Sequence, residues 1–128
     1  MMPFGKLKEY IGAKIDTATT IDVYGTEAVF ADDEEVEYLV YKFPSGNNND
    51  SLVIEKWILE IDYWKKSFES NDSTTILAAA EAVKTALNGR WQVEIEGFYK
   101  CYIDFASEIP TGEDGVYHFH QRYVITLF

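Results

Sequence analysis

A chain of 128 residues, 47% of them hydrophobic and including 3 Trp, 9 Tyr and 8 Phe, has the size and apolar content of one folded domain over residues 1–128, which excludes a disordered polar chain. Its net charge of −11 excludes a surface that grips nucleic acid through phosphate contacts, because those need the opposite sign. No apolar run approaches the ~20 residues of a membrane-spanning helix, and the first 15 residues alternate charge with hydrophobes rather than forming a secretory leader, so the expected setting is a cytosol, or a particle assembled there, with no membrane contact.

Taken in chain order, Phe4, Leu7, Ile11 and Ile15 recur at helical spacing and predict a first helix over residues 4–15, weakened by Gly5 and Gly12. Residues 16–20 are poor helix formers and predict a loop. Residues 21–29 admit a short strand around Ile21, Val23 and Tyr24, or an irregular path. The charge run 31–35 predicts a solvated loop. It lacks the spaced Asp/Asn and Gly pattern of a calcium loop. Residues 36–43 are rich in β-branched and aromatic side chains and predict a strand. Pro44, Ser45, Gly46 and the Asn47-Asn48-Asn49-Asp50 run predict a polar turn leading into an antiparallel partner.

That partner, residues 52–64, alternates by twos. Val53, Trp57, Leu59, Ile61 and Tyr63 share one face, interrupted only by Glu55, while the other face is mixed. After a loop over 65–71, Asp72 or Ser73 is a plausible helix cap, and Ile76, Ala80, Val83 and Leu87 form an apolar helical stripe that ends at Asn88-Gly89. Residues 91–96 fit either a short strand or the link out of the helix. Residues 98–105 predict a strand, and Pro110, Gly112 and Gly115 predict a loop over 108–115. The final strand, 116–128, places Tyr117, Phe119, Tyr123, Ile125 and Leu127 on one face with Gln121 as the exception, and His118, His120 and Arg122 on the other. Consecutive strands joined by turns give an α+β domain: a mostly antiparallel sheet of four or more strands with two helices packed on it.

Candidate chemistry is sparse. Cys101 sits in an apolar strand and reads as a buried thiol. His118 and His120 point the same way and would share a metal only if a third ligand, such as Asp104, came from a neighbour. No nucleophile elbow, phosphate-binding glycine loop or HExxH is present, so no catalytic residue, metal or cofactor is assigned and the protein is read as a non-enzyme. The abundance of Trp and Tyr suits a subunit interface as well as a two-sided sheet. Charge is uneven: residues 22–62 hold 11 acids against Lys42 and Lys56, which accounts for −9 of the net charge. That pattern suits solubility, a surface that must stay near DNA without sticking, or an acidic inhibitor of the nucleic-acid-mimic or immunity type that binds a basic partner near Asp32 to Glu37.

Three pieces in this order carry a resemblance: Val36-Glu37-Tyr38-Leu39-Val40-Tyr41; Ile58-Leu59-Glu60-Ile61-Asp62-Tyr63-Trp64 with its polar loop and a helix ending Ala86-Leu87-Asn88-Gly89; and His118-Phe119-His120-Gln121-Arg122-Tyr123-Val124-Ile125. Over roughly residues 36–128 the chain resembles the tail terminator (tail completion, or tail-to-head joining) proteins of long-tailed bacteriophages. The resemblance implies a structural protein of the virion tail or neck, assembled in the host cytoplasm as a hexameric ring. The ring would cap the tail tube, end its polymerisation and meet the head connector, with the tail tube protein and head–tail connector protein as partners. DNA would pass through it without specific binding. A ring needs a head-to-tail interface, which unpaired strand edges or the 44–50 segment would supply. The implied interface or lumen residues are Asp32, Asp33, Glu34, Glu35, Asn47, Asn48, Asn49, Asp50, Glu113 and Asp114.

Overall fold

Strict alternation builds the centre of the molecule. In β3 (Ile54–Lys66) every second side chain from Glu55 to Tyr63 is buried, and in β6 (Val116–Leu127) the same holds from Phe119 to Leu127. A two-residue period places such side chains on one side of a sheet, and the two strands pair antiparallel with Leu59 opposite Tyr123 and Trp57 opposite Ile125. The structure, a computed structural model, describes residues 4–25, 36–49, 54–66, 74–95, 98–113 and 116–128.

Around this pair stand β1 (Asp22–Tyr24), β2 (Val36–Asn49), β4 (Gly89–Ile95) and β5 (Phe98–Glu113). The six strands lie in the order β1-β2-β3-β6-β5-β4, with β1 parallel to β2 and every other neighbouring pair antiparallel. Two helices, α1 (Phe4–Ala18) and α2 (Thr74–Leu87), complete the α+β fold expected from the sequence. The helical stripes are buried as expected: Leu7, Ile11 and Ile15 from α1, and Ile76, Ala80, Val83 and Leu87 from α2, join Leu39, Tyr41, Cys101 and Ile103 of the sheet in one core. Each Leu, Ile or Val among them contributes about 1.5–3 kcal/mol by leaving water.

Two glycines have positional reasons. A Cβ on Gly12 would stand 2.5 Å from the Tyr41 hydroxyl, so this glycine lets α1 close over the tyrosine. Gly89 has φ 151°, a backbone state that side chains disfavour, and it turns the chain from α2 directly into β4. Residues 91–96 are thereby settled as strand through Ile95.

Boundaries differ from expectation in instructive places. Helix α1 runs on to Ala18, into the loop expected over 16–20, with the Thr17 hydroxyl donating to the Ala13 carbonyl at 2.8 Å. Strand β3 continues past the expected end at Trp64 to Lys66, whose neighbour Lys65 meets Glu37 at 3.6 Å, while the expected start at residue 52 lies outside the described residues. The expected turn at 44–50 is instead strand as far as Asn49, and the expected loop at 108–115 is strand as far as Glu113. Both corrections share a cause. Pro44 sits at a register shift between Lys42 and Ser45, and Pro110 follows a shift between Phe105 and Ser107. At both places the strand has a described neighbour on one side only, and edges and bulges are where a sheet accepts proline. The expected cap at Asp72 or Ser73 and the charge run 31–35 lie outside the described residues.

Candidate functional site

Among the described residues the helix-covered face holds two fully buried polar side chains, and these are the two exceptions in the alternation. Glu55 and Gln121 are both fully buried. Glu55 Oε1 accepts from the Trp57 indole N–H at 2.7 Å. Gln121 Oε1 accepts from the hydroxyls of Tyr63 at 2.6 Å and Tyr123 at 3.0 Å, while its Nε2 donates to the Ala80 carbonyl and to Glu108 Oε1, both at 3.1 Å. Gln121 therefore ties β3, β5, β6 and α2 together. Burial pushes the Tyr63 and Tyr123 hydroxyls well above their usual range, which keeps them protonated as donors.

The other face of the sheet carries a different constellation. The register sets Asp62 opposite His120 and Trp64 opposite His118. One carboxylate oxygen, Asp62 Oδ1, lies 2.7 Å from both His118 Nε2 and His120 Nδ1. The His118 ring stacks on Trp64 at 3.8 Å and 3°. Lys42 approaches Glu60 at 3.7 Å and Asp62 Oδ2 at 3.8 Å, and Tyr24 meets Tyr38 edge-on next to this cluster. Burial raises the Asp62 carboxyl, but hydrogen bonds from His120 and His118 and their charge outweigh it, holding the group below the ordinary carboxylate range.

Asp104 pairs with Val124 and does not join the histidines; Asp62 takes the place considered for it. Among the described residues no group of three or more His, Cys, Asp or Glu has the arrangement of a metal site. Cys101 is fully buried on the helix side, and desolvation pushes its thiol up to about 12, well away from a reactive thiolate. The open face thus carries stacked rings and bridging charges around a single carboxylate.

Of the interface or lumen candidates, Asn47, Asn48 and Asn49 lie in β2 opposite Lys56, Glu55 and Ile54, and Glu113 ends β5 opposite Val116. Asp32, Asp33, Glu34, Glu35, Asp50 and Asp114 lie outside the described residues. The Asp62 cluster was missed by sequence reasoning. Its signal was parity, since Asp62, His118 and His120 all fall on the mixed faces of their strands, but which strands are neighbours is not written locally. Charge is partitioned as well: the segments 26–35, 50–53, 67–73, 96–97 and 114–115 contain 10 acids and no Lys or Arg, so the described residues carry 12 acids and 11 bases.

A six-stranded sheet with both helices on one face defines the class, a two-layer α+β domain. The chain matches no protein-family model, and no curated protein is recognisably similar to it in sequence. Among solved structures it is similar to a protein that carries no functional name, with a TM-score of 0.64 and 10% identity over 95% of this chain and 90% of that one. It is also similar to a chain from the virion of a native gene transfer agent particle, with a TM-score of 0.57 and 13% identity over 91% of this chain and 83% of that one. At these identities the likeness is one of fold.

Proposed function

We propose that this chain is a structural, non-enzymatic virion protein that closes a tail tube, ends its polymerisation and joins it to the head connector as a ring of six copies. The observation that carries the reading is the fold shared with a virion chain over nine-tenths of this one, at 91% coverage. The tail-terminator resemblance of residues 36–128 points the same way. The tail tube protein and the connector are its partners, and DNA passes through the opening. The acidic segments suit that passage because like charge keeps phosphate from adhering.

The net charge of −11 also favours a second reading, a monomeric or dimeric acidic inhibitor that covers a basic protein. Light scattering across protein concentration and salt separates the two. A mass that climbs toward six times 14.7 kDa supports the ring. Negative-stain images with tail tubes then show whether it seats on tube ends. A species fixed at one or two copies that ignores tubes and captures a basic protein supports the inhibitor.

A further inference from the structure

The two flanks of the sheet are stepped. On one flank β1 covers β2 only over residues 38–40, so over 41–49 β2 has β3 alone beside it among the described strands. On the other flank β4 covers β5 only as far as Ile103, and the next outward N–H, that of Phe105, is taken up by Asn88 Oδ1 at 3.1 Å. From there to Glu113, β5 has β6 alone beside it among the described strands.

Tracing paired residues straight across the sheet shows that projection and recess stand at the same heights. One row runs Gly46, Trp57, Ile125, Ile103, Gly89, and the next two join Asn47 to Arg90 and Asn48 to Trp91. The projecting β4 is therefore level with the recess beside β2. In the other direction, the row through Tyr24, Val40, Asp62 and His120 ends at Ile109, and its neighbours join Val23 to Pro110 and Asp22 to Thr111. The projecting β1 is level with the recess beside β5.

We propose that a second copy of this chain, in the same orientation, docks flank to flank. Its β1 enters the recess beside residues 109–111 of β5 and runs antiparallel to it. The first copy's β4 enters the recess beside residues 46–48 of the second copy's β2 and runs parallel to it. This rests on the ring reading above and names the interface that reading needs. Unpaired edge groups are a template for another strand, and an interface between unlike flanks repeats head to tail, which is what a ring requires. Ile109, an apolar β-branched residue that is 54% exposed, stands at the recess, where a permanently free edge would carry charge. Pro44, Pro110 and the two register shifts limit each recess to a short insert.

The test uses the full chain with Asp22→Cys and Ile109→Cys together, treated with a short thiol-to-thiol cross-linker; buried Cys101 remains in place. The expected result is a ladder of covalent multimers from the double variant and none from either single variant. Ile109→Lys should raise the concentration needed for association by on the order of tenfold, through one charge set in the contact. Leu77→Lys, at an exposed position on α2, should leave it unchanged. Full-strength assembly in Ile109→Lys without a ladder in the double variant overturns flank pairing and leaves the ring standing. A chain that stays monomeric and uncross-linked at every concentration, with tail tubes added, overturns both.

Discussion

The two faces of the sheet handle polarity in opposite ways. On the helix-covered face the polar side chains Glu55 and Gln121 are fully buried and hydrogen-bonded within the fold, Glu55 to an indole and Gln121 to two tyrosine hydroxyls, a backbone carbonyl and the Glu108 carboxylate. On the open face the polar cluster is titratable, with two histidines sharing one oxygen of Asp62 beneath a lysine. The covered face buries most of the apolar side chains and with them carries the larger share of the stability. The open face carries less stability, and its share responds to pH.

The largest effect should come from the covered face. Leu59→Ala, at a fully buried position in the central strand, is expected to cost about 2–5 kcal/mol, read from the shift in urea midpoint. A loss below about 1 kcal/mol would mean that β3 is not central to the core. Gln121→Leu keeps the volume and leaves the Tyr63 and Tyr123 hydroxyls without their shared acceptor, so about 1–3 kcal/mol should be lost. Adding Tyr63→Phe and Tyr123→Phe should recover much of it. A triple variant as weak as the single would show that Gln121 contributes by shape instead.

Gly12→Ala sets two effects of opposite sign against each other. Alanine favours a helix interior by about 1 kcal/mol, but its Cβ would meet the Tyr41 hydroxyl at 2.5 Å, and overpacking costs about 1–3 kcal/mol. Net destabilisation is expected, and it should shrink in a Tyr41→Phe background, where the oxygen is gone and the ring Cζ at 3.2 Å is the nearest atom left.

The smallest effect belongs to the open face. Asp62→Asn should cost about 1 kcal/mol or less at neutral pH. Because the folded carboxyl titrates below its unfolded value of about 3.9, its stabilisation is complete above that value and is lost as pH falls through the folded pKa. The gap between wild type and variant should therefore stay open above about pH 4 and close below it. A gap that widens in strong acid would break the assignment of Asp62 as the ionised partner of the histidines.

Much of this contrast was legible in the sequence, because parity is local. The alternation in β3 and β6 assigned each residue to a face and marked Glu55 and Gln121 as departures from it. The helical stripes ending at Ile15 and Leu87 were equally plain. What failed was punctuation. Pro44, Gly46 and Pro110 signal turns in isolation, and only the strand order shows that they sit on flanks with one neighbour, where proline is tolerated. The Asp62 cluster joins residues 56 and 58 positions apart, and no local pattern announces such a pairing.

Strand order has a further consequence, for folding as the chain emerges from a ribosome. β6 is the last strand in the chain, yet it lies between β3 and β5 and is the hydrogen-bonded link between the β1-β2-β3 half and the β4-β5 half. Until it arrives, β3 and β5 each present a long bare edge rich in apolar side chains. The nascent chain is therefore most prone to wrong partners before β6 has emerged, and arrival of β6 closes both edges in one step. Such an order favours slow, cooperative folding once β6 is available over piecewise folding of the two halves.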